Sequence, residues 1–395
     1  MTRKAATGGF EPTLDARALE DLRERLDRWR GGESTADGWN RGVPGRWLGQ
    51  LVADWRSFDT GAFQSRLNRL EHSLVDLEGQ RIHFVRVPGR GADPLPLLLT
   101  HGWPGSFCEY LAVLDLLSDP VACGGDAADS FSVVAPSLPG FAFSSPQPPE
   151  GLSAGATAEL WHRLMTEVLG HHRYVAHGSD LGAGVTARLA RAHPEAVLGI
   201  HLATPGLPAP PRPWSTAEER HFAEVEAWSA QEGGYAHMQA TKPATLSAAL
   251  ADSPVGLAAW IGEKVSAWSS MTSEGEPAFG RELLLSTLTL YWATGTIASS
   301  MLPYWTYRHD PNSALTADDP SPVPTSVSIF GGERIPFPKP PRELAERYFT
   351  IHAWNELDRG GHFPAAADPA LFAQTLRDAF RPLRGSNDSR ERRRR

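Results

Sequence analysis

Apolar residues in the first sixty positions recur at helical spacing. Over residues 14–30, Leu19, Leu22 and Leu26 fall three or four apart among charged neighbours, which predicts an amphipathic helix. After a loop rich in Gly, Ser and Asp, Trp47, Leu48, Leu51, Val52 and Trp55 repeat the pattern and predict a second helix over 44–58. Each helix carries an apolar stripe that needs something to cover. From Ser73 the period changes to two: SLVDLEG followed by QRIHFVRV predicts a β-hairpin turning at a glycine.

Beyond Pro94, short apolar runs alternate with helical stretches. Residues 95–100 lead into HGWPGS, 132–135 into PSLPGFAFSS, 174–177 into GSDLGAG and 197–202 into ATPGLPAP. This alternation predicts an α/β fold, a mostly parallel sheet with helices on both faces and its ligand site at the strand ends. The rhythm stops between about Pro205 and Pro311, where helical patterns rich in Trp and Tyr predict an inserted lid without strands. It resumes with 327–330 entering GGER, 348–354 entering NELDRGGH, and a closing helix over 369–380. The chain thus divides into an N-terminal extension (1–94), a first core half (95–205), a lid (206–312) and a second core half (313–384). The Arg-rich remainder, 385–395, reads as a disordered basic tail.

Composition narrows the function classes. At 395 residues with 41% hydrophobic and 21% charged residues, the chain is globular, and its net charge of -8 argues against a general nucleic-acid binder. The two cysteines, Cys108 and Cys123, have no metal-ligand spacing and suggest no disulfide framework, which fits a reducing cytoplasm. MTRKAATGGFEP lacks the apolar segment of a signal peptide, and no run approaches the roughly 18 apolar residues of a membrane span. A soluble, cytoplasmic protein without a membrane anchor is expected.

GSDLGAG holds two adjacent nucleophiles, Ser179 and Asp180. A sharp strand-to-helix turn that exposes a nucleophile needs small residues two positions to either side. Gly178 and Gly182 flank Asp180 in this way, whereas Ser179 has the bulky His177 and Leu181. The spacing selects Asp180, although an aspartate here also suits an N-cap for a helix starting near Ala183. A carboxylate nucleophile forms an ester that water can cleave; a serine attacking saturated carbon would form an ether and stop. The chemistry indicated is displacement at sp3 carbon followed by ester hydrolysis.

That second step needs a base and an orienting acid. His362 follows two glycines at a strand end, and Glu333 follows the preceding strand. Glu333 is preferred as the acid over Glu356 and Asp358, which lie nearer to His362 in sequence. The order nucleophile, acid, histidine is that of α/β-hydrolases. The backbone amides of Trp103, in HGWPGS, and Leu181 are the expected oxyanion hole. His101, Pro104 and His177 are expected to border the substrate pocket. Neither a metal nor an organic cofactor is called for, and no Gly-rich phosphate loop is present.

Taken together, these motifs resemble the microsomal-type epoxide hydrolases, within the α/β-hydrolase fold. The resemblance runs from about Phe10 to Leu383, through GWNRGVP, FQSRLNRLEH and GQRIHFVRV in the extension and EGGYAHMQATKP, DSPVGLAAWIGEK and YWATGTIASS in the lid. It implies conversion of an epoxide to a vicinal diol, with the epoxide and water as reactants, through an aspartyl ester. It also implies two lid tyrosines that hydrogen-bond the epoxide oxygen and protonate the alkoxide. The matching residues are Tyr235 and Tyr304, with Tyr291 and Tyr307 as nearby alternatives. A neutral phenol suits the role because it donates without burying a charge.

Two positions depart from the family pattern: Leu181 replaces a tryptophan after the nucleophile, and His177 replaces a glutamine three positions before it. The first should reshape the pocket, while Leu181 keeps its amide. The many aromatics suggest a bulky aryl or vinyl epoxide, such as an intermediate of bacterial polyketide or enediyne assembly. A homodimer is left open. A haloalkane dehalogenase would share the aspartate, but Leu181 and the paired tyrosines disfavour it. A hydrolase-fold binding protein without catalysis is disfavoured by the intact Asp180, His362 and acid.

Overall fold

Both amphipathic helices form where the apolar spacing places them. After a two-residue strand, β1 (Gly8–Gly9), the Asp15 carboxylate accepts from the Arg17 amide and caps α1 (Ala16–Asp27). The second helix is α2 (Gly45–Arg56), and a short third, α3 (Thr60–Leu67), follows with only Phe63 and Leu67 buried. One turn of apolar spacing is too little to announce a helix, and α3 was not anticipated. The hairpin pairs β2 (Glu71–Leu77) with β3 (Gln80–Val87) across Glu78 and Gly79, both at positive φ.

The computed structural model describes residues 8–31, 38–144, 146, 148, 150–310, 314–317 and 320–384. The expected basic tail and most of the Gly-, Ser- and Asp-rich loop lie outside these residues.

The first core half contains β4 (Leu95–Thr100), α4 (Leu114–Ser118), β5 (Phe131–Pro136), α5 (Ala154–Arg163), β6 (Tyr174–Ser179), α6 (Leu181–Ala192) and β7 (Val197–Ala203). The lid contributes α7 (Thr216–Glu232), α8 (Gly234–Thr241), α9 (Pro243–Asp252), α10 (Pro254–Trp268), α11 (Arg281–Thr294), α12 (Ile297–Ser300) and α13 (Leu302–His309), with no strand among its described residues. The second half adds β8 (Ser321–Gly331), α14 (Arg342–Glu346), β9 (Phe349–Gly360), α15 (Pro364–Ala367) and α16 (Pro369–Phe380). β8 and β9 are longer than the apolar runs that announced them. β9 continues through Asn355, Glu356, Leu357 and Asp358, which alternate in exposure because strand pairing carries on past the core.

One sheet of nine strands results, in the order β1-β2-β3-β5-β4-β6-β7-β8-β9. Strands β4 to β9 run parallel, while the hairpin joins antiparallel through β3 and β5. The extension is therefore a continuation of the core sheet. Along β4, Leu97 and Leu99 pack into one buried cluster with Phe372 and Leu376 of α16. Leu98, between them, packs into the other with Trp161 of α5 and Val185 of α6. Both faces are thus covered, as a parallel sheet requires.

The stripes on α1 and α2 cover the lid. Trp55 donates its indole N–H to Thr289 Oγ1 on α11 at 2.9 Å, and Trp292 donates to the Ala18 carbonyl at 3.1 Å. Gly262 of α10 faces Trp47, and a Cβ there would come within 3.0 Å of the ring. Burying side chains such as Leu51 and Trp55 contributes roughly 1.5–3 kcal/mol each. The extension is a strap tying the sheet edge to the lid. Among the described residues, no single helix is long and apolar enough to cross a membrane. The loops after β4, β6, β8 and β9 converge beneath the lid, where such sheets place their chemistry.

Candidate active site

Asp180 sits between β6 and α6 with φ 51° and ψ -124°, a conformation that costs a non-glycine residue about 1–3 kcal/mol. The glycines on either side explain how the chain tolerates it. A Cβ on Gly178 would lie 2.1 Å from the Gly182 carbonyl oxygen, and one on Gly182 would lie 2.1 Å from that of Thr100. Gly102 is equally confined, since its Cβ would come within 2.4 Å of the Asp180 side chain. The turn therefore projects Asp180 into the cavity, while Ser179 remains buried within β6 and does not line it. The helix begins at Leu181, two residues earlier than its pattern suggested.

The two carboxylate oxygens of Asp180 have different neighbours. The Trp103 amide donates to Oδ1 at 2.8 Å, and His362 Nε2 lies 3.4 Å from Oδ2. Leu181 opens α6, so its amide has no intrahelical acceptor four residues back. His362 follows Gly360 and Gly361, both at positive φ, and its own amide donates to the Trp268 carbonyl at 3.0 Å. Its ring packs against Phe337 and Trp268, with centroids 5.1 and 5.0 Å away. Neither aromatic was anticipated, because nothing in IPFPKP or SAWSS distinguishes them from core residues.

Glu333 lies beyond the end of β8, and only 6% of its surface is exposed. Burial raises its carboxyl pKa, against the opposing pull of its own amide, Lys339 and His362. Neither carboxyl oxygen makes a hydrogen bond to another side chain, and Lys339 Nζ is 3.9 Å from Oε2. The competing acids are elsewhere: Glu356 and Asp358 are exposed on β9, and Glu356 accepts from the Trp354 indole at 3.0 Å.

Tyr235 on α8 and Tyr304 on α13 come together because those two lid helices pack on each other. Both rings stand over Trp103, with centroids 5.5 and 6.0 Å away, and 6.0 Å from one another. Burial, with the Asp180 charge in support, raises both phenol pKa values, so both remain neutral donors. Of the alternatives, Tyr291 donates to the Gly105 carbonyl at 3.4 Å, and Tyr307 is 58% exposed at the cavity rim. Asp180, Leu181, Tyr235, Tyr304 and His362 all line a cavity of about 750 Å³.

Three expected pocket residues do not line that cavity. His101 is fully buried; it donates from Nδ1 to the Gly102 carbonyl at 3.0 Å and accepts the Leu138 amide on Nε2 at 3.1 Å. It clamps the loop after β4 to the loop after β5. Pro104 is buried behind a cis bond to Trp103. His177 projects from the sheet face that α16 covers, where its ring meets Phe372 at a centroid distance of 4.9 Å. There its Nδ1 starts a buried polar chain, 2.9 Å from His201 Nδ1, and His201 Nε2 in turn lies 2.9 Å from Ser328 Oγ. As for metals, His162, His193 and Glu195 could hold an ion among the described residues. They lie at the far end of α6, about 20 Å along the helix from Asp180.

Residues 8–110 match the family profile described as epoxide hydrolase N terminus, and residues 96–232 match the alpha/beta hydrolase fold. A Stigmatella aurantiaca protein assigned as an epoxide hydrolase is 41% identical over 95% of this chain and 85% of its own length. Epoxide hydrolase 1 of Sus scrofa is 30% identical over 93% of this chain and 87% of its own. The chain belongs to the epoxide hydrolase family. Among solved structures, the juvenile hormone epoxide hydrolase of Bombyx mori superposes with a TM-score of 0.86 at 27% identity, over 97% of this chain and 96% of that one. The Aspergillus niger epoxide hydrolase gives a TM-score of 0.82 at 27% identity, covering 96% and 97%. This family member is a hydrolase-fold enzyme.

Proposed function

We propose that the enzyme opens a bulky, largely apolar epoxide through a covalent ester on Asp180. The observation that carries this reading is the division of the Asp180 carboxylate. One oxygen is held by the Trp103 amide and the other faces His362, across a cavity that two neutral phenols also line. Oδ2 attacks a ring carbon, and the C–O bond breaks toward the oxygen, which takes a proton from Tyr235 or Tyr304. His362, oriented by Glu333, then removes a proton from water as it adds to the Asp180 carboxyl carbon. The Trp103 and Leu181 amides bear the developing oxyanion. The bond from the carboxyl carbon to the alkyl oxygen cleaves, that oxygen takes the remaining proton of the added water, the diol leaves, and the proton on His362 makes good the one the phenol gave up.

Leu138, Leu207, Trp228 and Phe337 furnish apolar cavity walls, and Leu181 leaves room that an indole would fill. These features support an aryl or vinyl epoxide over a small aliphatic one. The tyrosines separate this chemistry from halide displacement, since an alkoxide needs a proton donor and a halide does not. Tyr235→Phe and Tyr304→Phe should each slow alkylation of Asp180 about tenfold or more, and the double variant should nearly abolish it. Ester hydrolysis, timed separately by stopped flow, should stay near the parental rate. Normal alkylation in the double variant would reduce both tyrosines to packing residues.

A further inference from the structure

Glu333 is a buried carboxyl with little to hold its charge. Neither oxygen accepts a hydrogen bond from another side chain, and the ionisable side chains that act on it are Lys339 and His362. Lys339 extends from the PFPKPP segment between β8 and α14, placing Nζ 3.9 Å from Glu333 Oε2. Gly331 makes room for that ammonium: a Cβ there would come within 2.7 Å of Nζ. On its outer side Lys339 lines a surface cleft of about 790 Å³. The ionisable residues lining that cleft with it are Arg220, His221, Glu224, Arg342, Glu356 and Asp358, so both cations and carboxylates face the ammonium from that side.

We propose that Lys339 is a positioning residue for ester hydrolysis, its ammonium holding Glu333 ionised so that the carboxylate can orient His362. This inference rests on Glu333 being the acid in the function proposed above. At such separations an opposite charge favours ionisation of a carboxyl, less so when one partner is 36% exposed to solvent. The direction of the effect does not depend on which group takes the proton. Removing a cation beside the Glu333–His362 pair lets it bind a proton more readily at either site, so the active, singly anionic pair is lost at higher pH.

The test is the pH profile of ester hydrolysis in single turnover. Lys339→Met should move the acid limb upward by about one pH unit. Alkylation of Asp180 should be unchanged, and Lys339→Arg should restore the parental profile. A parental profile in Lys339→Met, while Glu333→Gln cripples hydrolysis, would overturn the role of Lys339 and leave that of Glu333 standing. A shift that Lys339→Arg fails to restore would also overturn it, because a structural contact would then be responsible. Rapid hydrolysis by Glu333→Gln would remove the reading on which the inference depends.

Discussion

Around Asp180, at the end of β6, backbone atoms leave no space for a methyl group on Gly178 or Gly182, and the Trp103 amide holds one carboxylate oxygen. Around Glu333 and His362, at the ends of β8 and β9, Glu333 makes no side-chain hydrogen bond and His362 Nε2 stands 3.4 Å from Asp180 Oδ2. The position of Asp180 follows from backbone sterics, which are fixed before any substrate arrives. His362 is held by aromatic packing and Glu333 by charge, which would leave the hydrogen bonds of the proposed base and acid to tighten once substrate is bound, as catalytic contacts commonly do. A turn of the first kind should tolerate almost no substitution. A pair of the second kind should respond in graded fashion to changes in charge.

The largest effect should come from the proposed nucleophile. Asp180→Ala should lower turnover by about 10⁴-fold or more, while Ser179→Ala stays near the parental rate. An active Asp180→Ala enzyme would show that the strained turn serves something other than the chemistry. On the opposite side, Glu333→Gln should slow ester hydrolysis on the order of 10²-fold, whereas Glu356→Gln and Asp358→Asn change it little. If either exposed acid proved the more damaging loss, the acid would have to be reassigned to β9.

A smaller and more general effect concerns the core beneath the turn. His83, His101, His177 and His201 are fully buried, and desolvation lowers all four pKa values, that of His101 to about 4 and that of His201 to about 3. Once unfolded, each takes up a proton near pH 6.5, so the unfolded chain binds more protons in the window below that value. Stability should therefore hold above about pH 6.5 and fall as pH drops, by roughly 1.4 kcal/mol per unit for each histidine. Urea unfolding midpoints at about pH 7 and about pH 5 measure it, and equal midpoints would contradict it.

The same contrast separates what could be read from the sequence. The turn was legible because its sterics are local: Gly178 and Gly182 two positions from Asp180 say which residue is exposed. The strands and the closing helix were legible from their apolar runs, and α16 falls where its pattern placed it. What lay hidden depends on distant parts of the chain. That α1 and α2 cover α10 and α11 is a matter of tertiary packing, and so is the stacking of Phe337 and Trp268 on His362. His101 and His177 are expected in the pocket, yet a buried donor, the Leu138 amide, turns the first inward and strand alternation turns the second.

The two-step mechanism is tested most directly by separating its halves. His362→Gln should leave Asp180 free to attack, because the imidazole is needed only to activate water. Intact-protein mass spectrometry after mixing this variant with an aryl epoxide should show the added mass of one substrate molecule, and peptide mapping should place it on Asp180. An unmodified protein, under conditions where binding is independently confirmed, would contradict the covalent ester on which the account rests.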